Sequence, residues 1–455
     1  MRLSAMNQIV GLPLAYPEYR FPAPHDVVPS AVKMRPRPRH LLVGGKGMHV
    51  WDQHGVQLLD GMAGNWDALA GHAHGEIAQA AARSIRNFGQ CATKSAAAAT
   101  AEELADRLVD LLPFPAGRMF HTRGAAEASA MAQQLAQHFW KMAGKPHKRS
   151  IITRRHADRD KWRQPAMATQ SRQDWEGCFN IAAPAWFGYQ GLLSEYEFGQ
   201  AAAHELEKRV LELGADSVAA FIAEPFQTLD GAIYPPYSYW PEIQRICQRY
   251  EILLCLDESK SGLGRAGQWL GCVHVGVEPD AVVLGDALTS GYVPMGALLL
   301  SQRMADALER DAEPAGHAWE SQGMALAGAV ALANLNLLDD GQLVAHAAND
   351  VGLYLQFCLR ERFDGHPLVG EIQGSGMAGA LQLSPSPHVK MRFDDPGAVG
   401  LLCRDLAWER QLVVQAVEDR IVLAPALIAR HDDIDEIIDK LGAALDAAVI
   451  ALRRP

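Results

Sequence analysis

The stretch that decides the fold is "ILLCLDESKSGLGRAGQWLGCVHVGVEPDAVVLGD", residues 252–286. It opens and closes with short apolar runs, "ILLCLDE" and "AVVLGD", each of which ends at an acidic residue. Such runs, bounded by turn residues, are typical of fully buried strands. An earlier run of the same kind, "SVAAFIAEP" at 217–225, is followed by a helical pattern. Strands that alternate with helices predict an α/β protein with a mostly parallel sheet covered on both faces.

The composition is that of a soluble globular protein with two or three domains. Of 455 residues, 49% are hydrophobic and 21% are charged, and the formal net charge is −11. This acidic balance disfavours a nucleic-acid partner, and no apolar stretch reaches membrane-spanning length. The seven cysteines are scattered without paired or metal-finger spacing, which indicates reduced thiols and a cytoplasmic location.

Four longer stretches together resemble class III aminotransferases, which are pyridoxal-phosphate (PLP)-dependent enzymes of fold type I, and especially the ω-amino acid:pyruvate branch. They are "DGMAGNWDALAGHAHGEI" (60–77), "AEPFQTLDGAIYPPYSYWPEIQRICQRYEILLCLDE" (223–258), "GLGRAGQWLGCVHVGVEPDAVVLGDALTSGYVPMGALLLS" (262–301) and "LVVQAVEDRIVLAPAL" (412–427).

The resemblance spans roughly residues 40–450 and implies a domain organisation. Residues 1–65 are expected to form an N-terminal arm and part of a small α/β domain. Residues 66–325 are expected to form the large domain around the central sheet, and residues 326–455 the C-terminal part of the small domain. Proteins of this family are typically homodimers with two active sites at the subunit interface, so a homodimer is expected.

Asp286 stands where the family carries its catalytic lysine. The family sequence is "A-K-G-L", and this chain reads "GDAL" over Gly285–Leu288. In the family, that lysine forms a Schiff base with PLP and then moves the proton between substrate and cofactor. A nucleophilic amine is needed for both tasks, and an aspartate cannot form an imine.

The phosphate-binding segments also differ from the family pattern. The family's "N-S-G-S-E-A" becomes "RGAAEA", with Gly124, Ala125 and Ala126 at the cup, so the serine hydroxyls are lost. The backbone N–H groups of the following helix are expected to remain. Glu320 falls where a threonine of the neighbouring subunit binds the phosphate. A carboxylate there would repel phosphate by about 3 kcal/mol per unit charge at ~5 Å.

The expected contacts to the pyridine ring are mostly replaced. Asp158 and Arg159 follow "ITRRHA", where the family sequence "Y-H-G" supplies an aromatic that stacks on the ring. Asp257 alone matches the family, in which an aspartate pairs with the pyridinium nitrogen. A strand-end aspartate can equally serve to bind a neighbouring loop.

The substrate side of the site is altered as well. Gln415 replaces the arginine that binds the substrate carboxylate in the family, so a neutral amide replaces a bidentate guanidinium. Trp66 and Asp67 fall in the loop that lines the substrate entrance and are candidate pocket residues.

These replacements predict a pseudoenzyme without transaminase activity, with a regulatory or other non-catalytic role and with a protein partner or small-molecule ligand. No cofactor is expected in this reading. One alternative is a divergent enzyme in which Asp257, Asp286 and Glu320 form an acidic, metal-binding cluster. A second alternative is residual PLP-dependent transamination through Lys260, three residues after Asp257.

Overall fold

The computed structural model of the protein describes residues 40–87, 98–154, 177–189, 191–228, 230–309 and 324–453. Within these ranges the strands are β1 Leu42–Lys46, β2 His49–Asp52, β3 Gln57–Asp60, β4 Ala116–Thr122, β5 Ser150–Arg154, β6 Cys178–Ile181, β7 Val218–Ala223, β8 Leu253–Asp257, β9 Ala281–Leu284, β10 Gly296–Ser301, β11 Val369–Ser375, β12 Ala378–Leu383, β13 Leu412–Val413, β14 Gln415–Val417 and β15 Arg420–Leu423.

The helices within the same ranges are α1 Gly75–Asn87, α2 Ala99–Asp110, α3 Ala125–Met142, α4 Glu195–Leu213, α5 Tyr239–Arg249, α6 Gly271–Val275, α7 Gln302–Glu309, α8 Ala325–Asp340, α9 Leu343–Asn349, α10 Val351–Phe363, α11 Ala398–Glu409 and α12 His431–Leu452. None of them is both long and apolar enough to cross a membrane.

A seven-stranded sheet forms the centre of the molecule, in the order β4-β10-β9-β8-β7-β5-β6. Strands β6, β5, β7, β8 and β9 are parallel, and β10 runs antiparallel to both β9 and β4. The predicted mostly parallel sheet is therefore confirmed. The carboxyl ends of the parallel strands share one edge, where ligands bind in open α/β sheets.

The sheet is covered on both faces because its central strands are apolar throughout. Strand β7 is buried at every position. Its Phe221 packs into the larger hydrophobic core, whereas Ala220 and Ile222 pack into a second core that contains the buried face of α3. Alternate residues of a strand point to opposite faces, so two separate cores are filled by one continuous apolar run.

Two four-stranded sheets flank this body. One has the order β1-β2-β3-β13, in which Leu59 pairs with Leu412 in parallel. The other has the order β11-β12-β15-β14. The first combines strands from both ends of the described chain, in line with the expected small domain. The limits 1–65, 66–325 and 326–455 remain a prediction.

Candidate functional site

Acidic residues gather at the carboxyl edge of the central sheet. Asp257 is the last residue of β8, and Asp286 opens a short 3₁₀ turn directly after β9. Glu224 follows β7. The parallel arrangement of these three strands explains why residues distant in sequence reach one edge of the sheet.

Asp286 faces the amino end of helix α3. Its Oδ1 accepts a hydrogen bond from the backbone N–H of Met295 at 3.1 Å. The same oxygen lies 3.8 Å from the point that a Cβ would occupy on Gly124, the residue that precedes α3. Asp286 therefore places a carboxylate beside the amino end of a helix.

That amino end offers backbone donors. No side chain caps α3, which begins at Ala125 after Gly124, a residue with a φ of 157° and a ψ of 174°. Glu127 instead accepts the N–H of Arg123 at 2.7 Å. The first N–H groups of a helix, here including those of Ala125 and Ala126, have no partner within the helix and attract anions. The helix start expected from "RGAAEA" is thus present.

Asp257 is nearly buried, with 3% of its surface exposed. Its Oδ1 accepts the N–H of Ser259 at 3.0 Å. A Cβ placed on Gly285 would lie 2.8 Å from the Cβ of Ser259 and 3.2 Å from that of Ala125. The turn after β8, the turn after β9 and the start of α3 therefore meet, with Asp257 and Asp286 on neighbouring strands.

Lys260 is held in an ion pair. Its Nζ donates to Asp67 Oδ2 at 2.5 Å and to the carbonyl oxygen of Asn65 at 3.0 Å. The two paired side chains are only 10% and 14% exposed. Burial raises the pKa of Asp67, Lys260 acts in the opposite direction, and the negative charge of Asp286 adds to the increase. Lys260 thus ties the 65–67 loop to the turn after β8.

Trp66 lies beside this pair and is completely buried. Its backbone has a φ of 76°, a left-handed conformation that is uncommon for a bulky residue. Arg265 fixes the segment, because its Nη2 donates to the carbonyl oxygen of Trp66 at 2.9 Å and its guanidinium lies 5.9 Å from the indole centre. The indole Nε1 is buried and has no hydrogen-bond partner.

Gln415 begins strand β14 and pairs with Val422 of β15. Residues directly opposite in antiparallel strands point to the same face. Val422 packs in the same cluster as Trp66, so Gln415 lies on the Trp66 side of this sheet. Its Oε1 is buried without a partner.

Two buried glutamates at the same edge were not singled out from the sequence. Glu224 accepts hydrogen bonds from Thr228 N and Oγ1 at 2.9 and 2.5 Å. Glu258 accepts the N–H groups of Gly271 and Cys272 at the start of α6, and burial raises its pKa to about 7. In the sequence, each of these glutamates directly follows an apolar strand, and this position could have identified them as candidate site residues.

Three predicted site residues, Asp158, Arg159 and Glu320, lie outside the residues that the structure describes. Within the described part of the chain, no group of three or more His, Cys, Asp or Glu side chains is placed to hold a metal. The acidic-cluster alternative therefore finds only Asp257 and Asp286 on neighbouring strands.

The large central sheet and its helices have the fold of PLP-dependent transferases of fold type I. The family model described as aminotransferase class-III matches residues 31–445. The chain is 35% identical over 427 residues to a putrescine–pyruvate aminotransferase of Pseudomonas aeruginosa, covering 90% of this chain and 92% of that protein. It is 29% identical over 433 residues to a diaminobutyrate–2-oxoglutarate transaminase of Halomonas elongata, covering 92% of each. This chain therefore belongs to the class III aminotransferases.

Solved structures of transaminases have the same fold as this chain. The ω-transaminase of Pseudomonas jessenii in complex with PMP has a TM-score of 0.83 and 29% identity, covering 90% of this chain and 93% of that one. A thermostable 4-fold mutant of a Pseudomonas jessenii ω-transaminase also has a TM-score of 0.83 and 29% identity, covering 91% and 94%. The resemblance in sequence and the fold class are thus confirmed.

The expectation that the protein uses no cofactor is wrong, because the family to which it belongs is PLP-dependent. The physical reason is that the backbone, and not only side chains, can contact a cofactor. The prediction weighed lost side chains, whereas the backbone N–H groups at the amino end of α3 are suited to bind an anion and Asp257 is retained. Both features fit the phosphate and the ring nitrogen of PLP. Asp286 does not fit a covalent link to the cofactor.

Proposed function

We propose that this class III aminotransferase has no transaminase activity and binds PLP and a small ligand in a non-catalytic role. The observation that carries the proposal is the carboxylate of Asp286, which occupies the strand-end turn and accepts a hydrogen bond from Met295 N–H. A carboxylate lacks the nucleophilic amine that covalent attachment and proton transfer in transamination require.

The chain retains residues that would hold PLP without a covalent link. The N–H groups at the start of α3, near Ala125 and Ala126, would bind the phosphate, and Asp257 would pair with the ring nitrogen. PLP, when bound, supplies an electron sink for amine chemistry. Asp286 would hold the Met295 loop against the start of α3.

A second candidate is transamination through Lys260. It is favoured by the position of Lys260 three residues after Asp257 and by the low exposure of its side chain. Two contacts oppose it, because Asp67 and the carbonyl oxygen of Asn65 hold the ammonium group. The amine would have to leave this ion pair and lose its proton before it could attack an aldehyde.

We also propose a homodimer in the cytoplasm. Class III aminotransferases are typically homodimers. Six cysteines within the described ranges are free, and five of them are buried, which suits a reducing compartment.

The test combines an absorbance titration with PLP, borohydride reduction with mass analysis, and an assay of amine-to-pyruvate transfer. We expect saturable PLP binding, no covalent adduct and no transfer. Asp286→Lys is the matched control for covalent chemistry at this position, and an adduct is expected there. An adduct on Lys260, or turnover by the natural sequence that Lys260→Met abolishes, would establish the second candidate instead.

A further inference from the structure

We propose that Asn334 is a positioning residue that holds the turn after β9 in place and thereby keeps the Asp286 carboxylate beside the amino end of α3. The side chain acts through Asp286 and makes no contact with a ligand itself. The inference rests on the proposed function in one respect, because its main readout is the binding of PLP at that helix end.

Asn334 lies in α8 and is fully buried. Its Nδ2 donates to the carbonyl oxygens of Ala287 at 3.0 Å and of Leu288 at 2.9 Å. Both acceptors belong to the short 3₁₀ turn Asp286–Thr289. One side chain of α8 therefore binds the two residues that directly follow Asp286.

The two carbonyl acceptors explain why this position carries an amide. A carbonyl oxygen only accepts hydrogen bonds, so the amide nitrogen of Asn334, and not its Oδ1, must face the turn. That Oδ1 is buried without a partner among the described residues. Among the buried residues of α8, which the structure describes throughout, Asn334 alone is polar. An apolar side chain would avoid the unpaired oxygen, so the two hydrogen bonds account for the asparagine.

The other hydrogen bonds that the structure describes for Asp286 come from its own loop, residues 286–295. Its backbone carbonyl accepts Thr289 Oγ1 at 3.0 Å and the N–H of Gly291 at 2.9 Å. Its Oδ1 accepts the N–H of Met295. These bonds set the shape of the loop, but they do not attach it to another element.

Two other segments attach this loop to the rest of the molecule. The segment before α1 is one of them, because the N–H of Ala70 donates to Ser290 Oγ at 2.8 Å and Tyr292 OH donates to the carbonyl oxygen of Gly71 at 3.0 Å. Helix α8 is the other, through Asn334. The first attachment holds the later part of the loop, whereas Asn334 holds the residues next to the carboxylate.

The place of this carboxylate affects an anion at the start of α3. Oδ1 of Asp286 lies 3.8 Å from the point that a Cβ would occupy on Gly124, and like charges this close repel each other. A bound phosphate pushes the carboxylate away, and the bonds to Asn334 oppose that movement. Loss of these bonds should therefore tighten anion binding, whereas general damage to the fold would weaken it.

The test is a double-mutant cycle in PLP affinity, measured by equilibrium dialysis on the full chain. Asn334→Leu keeps a side chain of similar size and removes both donors. We expect this variant to bind PLP about three- to tenfold more tightly than the natural chain. Asp286→Asn should tighten binding about a hundredfold in the natural chain but less than about tenfold in the Asn334→Leu background.

Asn336→Leu is the matched control, since it is the same change further along α8, at an exposed position that accepts a hydrogen bond from Arg107. It should leave both the Kd of PLP and the effect of Asp286→Asn unchanged. Weaker PLP binding in Asn334→Leu, or an equal effect of Asp286→Asn in both backgrounds, would overturn the inference. Asn334→Ala takes the place of the Leu variant if circular dichroism shows that the latter does not fold.

Hydrogen exchange gives a readout that does not depend on PLP. The N–H of Met295, which is bonded to Asp286, should exchange at least about tenfold faster in Asn334→Leu than in Asn336→Leu. Equal exchange rates would overturn the inference whether or not PLP binds. Absence of PLP binding in every variant would refute the proposed function, and the exchange rates would then decide the role of Asn334 alone.

Discussion

Removing the negative charge of Asp286 should tighten PLP binding about a hundredfold. Oδ1 of Asp286 lies 3.8 Å from the position of a Cβ on Gly124, so a phosphate at the start of α3 would lie roughly 5 Å from the carboxylate. At an effective dielectric constant of 20, the repulsion is about 3 kcal/mol per unit charge, which corresponds to about two powers of ten in Kd. Asp286→Asn removes this repulsion and keeps an oxygen that can accept Met295 N–H.

The assay is equilibrium dialysis of PLP against the natural chain and the Asp286→Asn variant at two salt concentrations. The gain should shrink as salt rises, because the site is partly open to solvent. Asp364→Asn, an exposed change of the same charge, is the control and should leave Kd unchanged. A gain smaller than threefold in Asp286→Asn would refute the electrostatic reasoning.

Three further predictions concern stability. Lys260→Met should lower the free energy of unfolding by about 3 kcal/mol in urea, because it leaves the Asp67 carboxylate unpaired, and adding Asp67→Asn should restore most of the loss. Gly352→Ala should lower it by about 1–3 kcal/mol, since the new Cβ would lie 1.8 Å from the carbonyl oxygen of Ala347 between α9 and α10; a Tm equal to that of the natural chain would contradict this. Burial raises the pKa of Glu258 from 4.5 to about 7, so the folded state binds more protons within this window. The Glu258 contribution to stability should therefore fall by about 3 kcal/mol as pH rises through that window, and Glu258→Gln should flatten the dependence in urea titrations at several pH values.

The central sheet could be predicted because its signal is local. The stretches 217–225, 252–258 and 281–286 each contain an apolar run with an acidic residue at or just after its end, and each one forms a buried strand. No comparable sequence pattern indicated that β10 runs antiparallel to its neighbours. Strand direction follows from the connection and the partners on each side, and the short link from β9 to β10 returns the chain along the neighbouring strand.

The site could be predicted only in part. The strand-end positions of Asp257 and Asp286 follow from the strands themselves. The ion pair of Lys260 with Asp67 joins residues 193 positions apart, and no local pattern indicates it. The indole Nε1 of Trp66 is buried without a partner because the residue has a left-handed backbone and other segments pack against its ring. Side-chain chemistry at a site is thus fixed by tertiary contacts that a linear pattern does not contain.

The parallel pairing of β3 with β13 has a consequence for synthesis on the ribosome. Leu59 leaves the ribosome early, whereas its partner Leu412 emerges only when most of the chain is already made. Until then β3 presents an unpaired edge, which is a template for association with other chains. A product that stops before residue 412 could bury its central sheet but would keep this edge open. Premature termination should therefore yield aggregation-prone fragments, and chaperone binding should persist until the last strands emerge.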